Sequence, residues 1–370
     1  MTKARDIASA TTPNANAALL ATFPHRNLII NGDMRIDQRN AGSAVTVNAA
    51  AEFYVVDRFN GVGQNTDGVY TLQQSTNAPT GFINSVVATV TTADASVDAT
   101  QFYFIQQKIE GLNVADLGWG NANAKTVTLS FWTRSSLTGT FGGSVVNSAQ
   151  DRSYAFTYTI SAANTWEQKT VTIAGDTSGT WLTTNGVGLR IRFSLGAGST
   201  YSGSAGSWAS ADYRGATGQT DIISTNGATF YITGVQLEVG DTATPFEHRS
   251  YGDELARCQR YYWQLSTAVH GNYPSWIATA YSTTQLNIQI PFPVTMRSTP
   301  TMTYNTGNVN YYRFYRNSSN HNFGTVATDT VTSEHINMYG TTTSSHTAGT
   351  SGALQIRMAD GAGVFASAEL

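Results

Sequence analysis

The residues best able to do chemistry are few, and their spacing argues against a catalytic centre. Six histidines, His25, His248, His270, His321, His335 and His346, are scattered without the spacing of metal ligands. The chain has no HExxH, no paired CxxC, and no Walker or GxGxxG loop following a strand. The nearest approach to a nucleophile elbow, Gly203–Ser204–Ala205–Gly206–Ser207, is a near miss that reads as a flexible Gly/Ser loop, and an elbow also needs a strand-to-helix turn. Asp57, Asp212 and Asp221 are of the right type for a glycosidase acid and base, which must stand about 5–10 Å apart. Nothing in the sequence brings two of them together, and they read as ordinary loop carboxylates. The single cysteine, Cys258, has no internal disulfide partner and reads as a small buried residue near a helix. No catalytic residue, cofactor or metal is expected.

The aromatic residues carry more information. A flat apolar ring can stack on the C–H face of a pyranose while planar polar groups take its hydroxyls. Trp119 in ADLGWGNANAK, Trp181 in DTSGTWLTTNG and Trp208 in STYSGSAGSWASADYRGATGQ all lie in polar, Gly-rich stretches, the last with Tyr201 and Tyr213 close by. A tryptophan so placed either plugs the edge of its own domain or a subunit interface, or forms a ligand platform. Trp119, Trp208, Tyr201 and Tyr213 are the candidate glycan-binding residues on the second reading. Trp132 and Trp166 fall in strand patterns and are expected to pack in the core or between sheets.

The elements that must position these side chains are strands. Short runs of Val, Ile, Thr, Tyr and Phe alternate with polar residues and are broken by Gly, Asn and Ser. TVTLSFWTRSS (Thr126 to Ser136), YAFTYTI (Tyr154 to Ile160), EQKTVTIAG (Glu167 to Gly175), GLRIRFSLG (Gly188 to Gly196) and TFYITGVQLEVG (Thr229 to Gly240) are the clearest. In GLRIRFSLG, Leu189, Ile191, Phe193 and Leu195 share one face, and Arg190 and Arg192 share a face read as solvated. Ser250 to Gln264 predicts a short helix, capped by Ser250, with Asp253 and Glu254 in its first turn and Leu255, Cys258 and Tyr262 on one face. Beyond it a second β-rich stretch runs to Leu370. There Pro291, Pro293 and Pro300 predict edge strands or breaks, and Phe314 to Ser351 reads as long exposed loops. The expected fold is all-β. An N-terminal arm (1–26) precedes a jelly-roll β-sandwich (27–249), a linker helix (250–264) and a second, C-terminal β-sandwich (265–370).

Composition narrows the function classes. Only 12% of residues are charged, against 41% hydrophobic, so the surface must be covered largely by Thr, Ser, Asn, Gln and Gly. With 21 basic and 24 acidic residues and no basic block, the electrostatic footprint of a nucleic-acid binder is missing. No run approaches the roughly 18 apolar residues of a membrane span, and the first twenty residues have no secretory-type core. The expectation is a protein made in the host cytoplasm that ends up in a virion.

Several stretches resemble the jelly-roll carbohydrate-binding modules that bind xylans and β-glucans: NLIINGDM (Asn27 to Met34) as the opening strand, TVTLSFWTRSS and WEQKTVTI in the middle, and FYITGVQLEVG (Phe230 to Gly240) as the closing strand. Such modules often bind a structural calcium through an acidic residue in the closing strand; here Thr233–Gly234 stands in its place, although Asp33 is retained, and no metal is expected. The whole chain also resembles phage tail-fibre and virion-appendage proteins, through MTKARDIAS (Met1 to Ser9), NGDMRIDQRNAGS (Asn31 to Ser43), Asp57 to Phe59, QKIEGLNVADLGWG (Gln107 to Gly120), TPFEHRSYGDELARCQRYYW (Thr244 to Trp263) and FPVTMRSTPTMTY (Phe292 to Tyr304). This resemblance implies a homotrimer joined to other virion proteins by its N-terminal arm. It further implies non-enzymatic, multivalent binding to a host cell-surface polysaccharide. A purely structural virion protein without sugar binding is the alternative. A depolymerase is disfavoured because no repeat of fixed period, as in a parallel β-helix, is present.

Overall fold

The computed structural model describes residues 26–64, 67–265, 275–342, 344–357 and 362–370. Of the N-terminal arm expected over 1–26, only Arg26 falls within them. The chain divides into two compact units, one ending at Glu254 and including the terminal Leu370, the other running from Leu255 to Glu369.

The first unit is built from β1 (Val45–Val47), β2 (Phe53–Val56), β3 (Phe59–Gly63), β4 (Val69–Ser75), β5 (Ser85–Thr92), β6 (Phe102–Glu110), β7 (Val127–Ser135) and β8 (Gly139–Asn147). It continues with β9 (Ser153–Ile160), β10 (Glu167–Ile173), β11 (Val187–Ala197), β12 (Ser202–Gly203), β13 (Trp208–Ala209), β14 (Gly215–Ala216) and β15 (Thr229–Val239). Two sheets face each other in a jelly-roll sandwich, ordered β1-β4-β5-β15-β7-β10 and β13-β9-β8-β11-β6-β3-β2. Every pairing within the two sheets is antiparallel. Period-two alternation decides which side chains lie between them. Leu189, Ile191, Phe193 and Leu195 enter the core as the sequence predicts, with Phe131, Phe141, Phe156 and Phe230 packed around them.

The same alternation corrects two expectations. Val127, Leu129 and Phe131 commit the odd positions of β7 to the core, so Trp132 is turned to the outer face and is half-buried. Trp166 is likewise half-buried, its ring 5.9 Å from that of Tyr231.

The Asn27 to Met34 segment runs beside β15 but is not a regular strand. The Asn27 side chain intervenes, accepting the amides of Ile29 and Leu237. Asn31 adopts a left-handed φ of 59° and its amide side chain closes on both the N–H and the C=O of Ile36. Gly32 approaches β15 so closely that a Cβ there would fall 2.2 Å from the carbonyl oxygen of Val235.

The predicted helix is α1 (Tyr251–Gln259). Ser250 Oγ accepts from the amide of Asp253 at 3.2 Å and donates to its carboxylate at 2.7 Å, a reciprocal cap. The helix stops short of the expected 264, and Tyr262 belongs to a strand instead.

The second unit comprises β16 (Tyr262–Gln264), β17 (Ser275–Ala280), β18 (Gln285–Pro291), β19 (Thr301–Tyr304), β20 (Tyr312–Arg316), β21 (Ser319–Phe323), β22 (Val326–Val331), β23 (His335–Thr341), β24 (Ser351–Ile356) and β25 (Val364–Ser367). These form a three-stranded sheet, β16-β25-β19, and a seven-stranded sheet, β21-β20-β24-β17-β18-β23-β22. Leu286, Ile288, Ile290, Tyr312, Phe314, Ile336 and Leu354 are the centre of its separate core. β18 lies inside the larger sheet rather than at its edge. Pro291 is its last residue, where a missing N–H interrupts little. The expected long loops between Phe314 and Ser351 contain two hairpins, β20–β21 and β22–β23, because their polar residues occupy the outward pleat.

Candidate functional site

The tryptophans meet at one end of the first sandwich. Trp119, Trp181 and Trp208 pack mutually edge-on, with ring centroids 4.7, 5.3 and 5.4 Å apart. Their indole N–H groups point inward: Trp119 donates to Lys125 O at 2.7 Å, Trp208 to Ala174 O at 2.7 Å, and Trp181 to Ser178 O at 3.2 Å and the Asp176 carboxylate at 3.3 Å. Arg152 clamps the same carboxylate through Nε at 2.9 Å and Nη2 at 2.6 Å. Trp119 is buried in the main core, and Trp208 and Trp181 pack against it half-buried. Trp119 thus fills the edge of its own sandwich, while Trp119 and Trp181 also line a cavity of about 130 Å³ with Leu117, Asn121, Leu182 and Thr183, so each of the two readings has a counterpart in the structure. Tyr213, half-buried, lies across Gly203, where a Cβ would fall 2.1 Å from its ring.

A different aromatic cluster occupies the outer pleat of the second sheet. In β6, Tyr103, Ile105 and Ile109 face the core, so Phe102 and Phe104 face outward and form a satellite cluster with Val62 of β3 and Tyr201. The two rings stack at 5.5 Å and 18°. The Arg214 guanidinium lies 3.6 Å from the centroid of Phe102 and 4.1 Å from that of Tyr201, and Arg192 lies 4.9 Å from Phe104. Cross-strand register assembles the rest: Arg190 opposes Lys108, and Arg192 opposes Gln106. Together Glu52, Val62, Phe102, Phe104, Gln106, Gln150, Arg190, Arg192 and Arg214 line an open groove of about 210 Å³. That is smaller than the ~300–1,000 Å³ typical of drug-sized pockets.

Polar contacts hold the guanidinium groups in place. Asp212 bridges Arg192 Nη1 at 2.7 Å and Arg214 Nη2 at 2.5 Å. Gln150, held in a left-handed conformation with φ 61°, accepts from Arg192 Nη2. Arg190 Nη1 donates to Asn147 O at 2.7 Å and Ser148 O at 2.9 Å. Lys108 pairs with Glu52. Burial is the main force lowering the pKa of Arg192 to about 10, with the charges of Arg214 and Arg190 adding to it and Asp212 opposing. Burial would raise the Asp212 carboxyl, but Arg192 and Arg214 outweigh it and hold that group below its ordinary value.

The three aspartates weighed as acid and base enter separate networks. Burial pushes Asp57 up to about 6, opposed by its bonds from Gln38. Asp221 is raised by burial and accepts from Gln219 at 2.9 Å. Asp33 pairs with Arg35. Among the described residues, no group of three His, Cys, Asp or Glu side chains could hold a metal ion.

Of the four aromatic candidates, Tyr201 alone touches the groove lining, through Arg214 and Phe102. Arg190 and Arg192, read as a solvated face, are groove residues instead: Arg192 is 2% exposed. Phe102, Phe104 and Gln106 were not singled out. The available signal was FYFIQQK (Phe102 to Lys108), where both pleats carry bulky residues and neither is plainly the solvent face.

No family model matches the chain, and no curated protein matches it. Among solved structures it is similar to the enzymatically active domain of tailspike protein 4 of bacteriophage CBA120, at 14% identity and a TM-score of 0.31, over 59% of this chain but only 22% of that one. It is also similar to the family 11 carbohydrate-binding module of Clostridium thermocellum in complex with a β-1,3-1,4-mixed-linked tetrasaccharide, at 11% identity, with 56% and 100% of the two chains covered and a TM-score of 0.27. A third is TmCBM61 in complex with β-1,4-galactotriose, at 12% identity, 58% and 99% coverage and a TM-score of 0.27. These likenesses carry no argument about ligand or mechanism.

Proposed function

We propose that this chain is a phage tail fibre or virion appendage that adsorbs to a host-surface polysaccharide without cleaving it, and that the groove on the second sheet is its sugar site. The observation that carries the sugar-binding reading is the open groove lined by planar guanidinium and amide groups of Arg190, Arg192, Arg214, Gln106 and Gln150, backed by Phe102 and Phe104, which are themselves 5% and 3% exposed. Rigid planar donors for sugar hydroxyls, held in place by an apolar layer beneath them, are what saccharide recognition can use. Binding rather than hydrolysis is supported by Asp212, which is tied to two arginines and held ionised rather than poised to donate a proton. The virion role rests on the sequence resemblances of the opening segment, the NGDMRIDQRNAGS stretch and the Thr244 to Trp263 junction. Weak contacts in each copy would be multiplied across a homotrimer attached by its N-terminal arm.

A glycan array probed with the full chain, followed by incubation with any saccharide bound, tests this. The expected result is binding that Arg214→Ala abolishes while oligomeric state and melting cooperativity are kept, with no new reducing ends. Failure of the wild-type chain to bind any saccharide or cell would overturn sugar binding and leave the purely structural reading. Release of reducing ends would overturn the non-catalytic half. The structural reading has its own support in the second unit, where Ile277 is 78% and Tyr281 69% exposed, as expected of surfaces buried between copies.

A further inference from the structure

The groove concentrates cations in a chain that has few. Arg190, Arg192, Arg214 and Lys108 come together there, and the carboxylates facing them are Glu52, Asp212 and the main-chain carboxylate of Leu370, to which Lys108 Nζ donates. The whole chain, by contrast, has 21 basic and 24 acidic residues. Asp212 is shared between two arginines, and Glu52 is paired with Lys108. Arg190 has no carboxylate within ion-pair reach among the described residues; backbone carbonyls of Asn147 and Ser148 orient its guanidinium without neutralising it. Resting on the sugar-binding reading above, we propose that the groove selects acidic saccharides, the sugar carboxylate pairing with Arg190 while the sugar hydroxyls meet the planar groups that line the groove beside it.

The physical case is electrostatic. Crowding like charges in a partly desolvated groove is costly, and an incoming carboxylate relieves that cost. A neutral sugar offers hydroxyls to the same donors but leaves the excess charge unpaired. A planar guanidinium fixed by two carbonyls keeps a second N–H edge in the right plane for a carboxylate. Glu52, exposed at the rim, adds a repulsive element against acids that approach from its side.

The test is isothermal titration of the full chain with an oligo-uronate, with the same oligosaccharide after carboxyl reduction, and with inorganic phosphate as a free-anion control. Tighter binding of the oligo-uronate by tenfold or more is expected, weakening as salt rises. Arg190→Gln should bring the two affinities within about twofold, the acidic sugar losing tenfold or more and the reduced sugar losing less, with cooperative melting retained at a lower midpoint because the bonds to Asn147 O and Ser148 O are lost, and Arg190→Lys should restore part of the preference. Equal affinity for the acidic and reduced forms would overturn acid selection and leave the sugar-binding reading standing. Absence of binding to both would remove the two together. Phosphate binding as tightly as the oligo-uronate would also overturn the proposal, reducing the groove to a simple anion site.

Discussion

At the scale of single residues, the most consequential placements are those of charge inside the sandwich. Asp57 is fully buried and accepts from the Gln38 amide at 3.3 Å and from its side chain. Its pKa is raised from 3.8 to about 6 by burial. Between those values the folded chain keeps a proton that the unfolded chain releases. Stability contributed at this position is therefore highest below pH ~4 and falls as pH rises toward 6. The loss at neutral pH is of order 2–3 kcal/mol for a shift of this size. Urea unfolding at pH 4, 5, 6 and 7 should show this decline, and Asp57→Asn should flatten it. An identical slope in the variant would assign the pH dependence elsewhere.

At the scale of elements, the junction between the Asn27 to Met34 segment and β15 ties the opening of the first unit to its closing strand. Leu28 N donates to Leu237 O at 2.9 Å and Val235 N to Gly32 O at 2.9 Å. Gly32 is required by distance rather than by dihedral. Its missing Cβ makes room for the Val235 carbonyl, which is backbone and cannot swing away. Gly32→Ala should cost at least about 2 kcal/mol, read as a lower urea midpoint at unchanged m-value, since the two segments must separate. β15 adapts to this contact by a bulge between Thr233 and Gln236, where Gly234 takes φ +61°. Thr233–Gly234, which departs from the carbohydrate-binding-module pattern at the calcium position, is thus a bulge with its own backbone role.

At the scale of the whole molecule, the adsorption proposed above, through a shallow groove, requires several copies acting together. Linked sites can exceed single-site affinity by about 10²–10⁴. Light scattering of the purified chain should give three times the mass of one copy. Ile277→Asp on the exposed face of β17 should shift it toward the monomer and reduce cell adsorption far more than it reduces affinity for a soluble oligosaccharide. A stable wild-type monomer would remove the multivalent mechanism.

Strand identity was legible in the sequence, because a pleat of period two writes itself as alternating hydrophobicity. β7, β9, β10, β11 and β15 all appear where that alternation places them. The helix start at Ser250 was legible for a similarly local reason, its side-chain cap. Local pattern could not reveal the groove, whose parts come from β3, β6, β11 and the segments around Glu52, Gln150 and Arg214. Arg192 meets Phe104 only because β11 and β6 are neighbours in the folded sheet, and Arg214 reaches both Phe102 and Tyr201 only because its loop folds back over them. The tryptophans show the converse. Their Gly-rich surroundings allow both closure and exposure, and the mutual contact of the three rings comes from packing between segments far apart in sequence, which has no local signature.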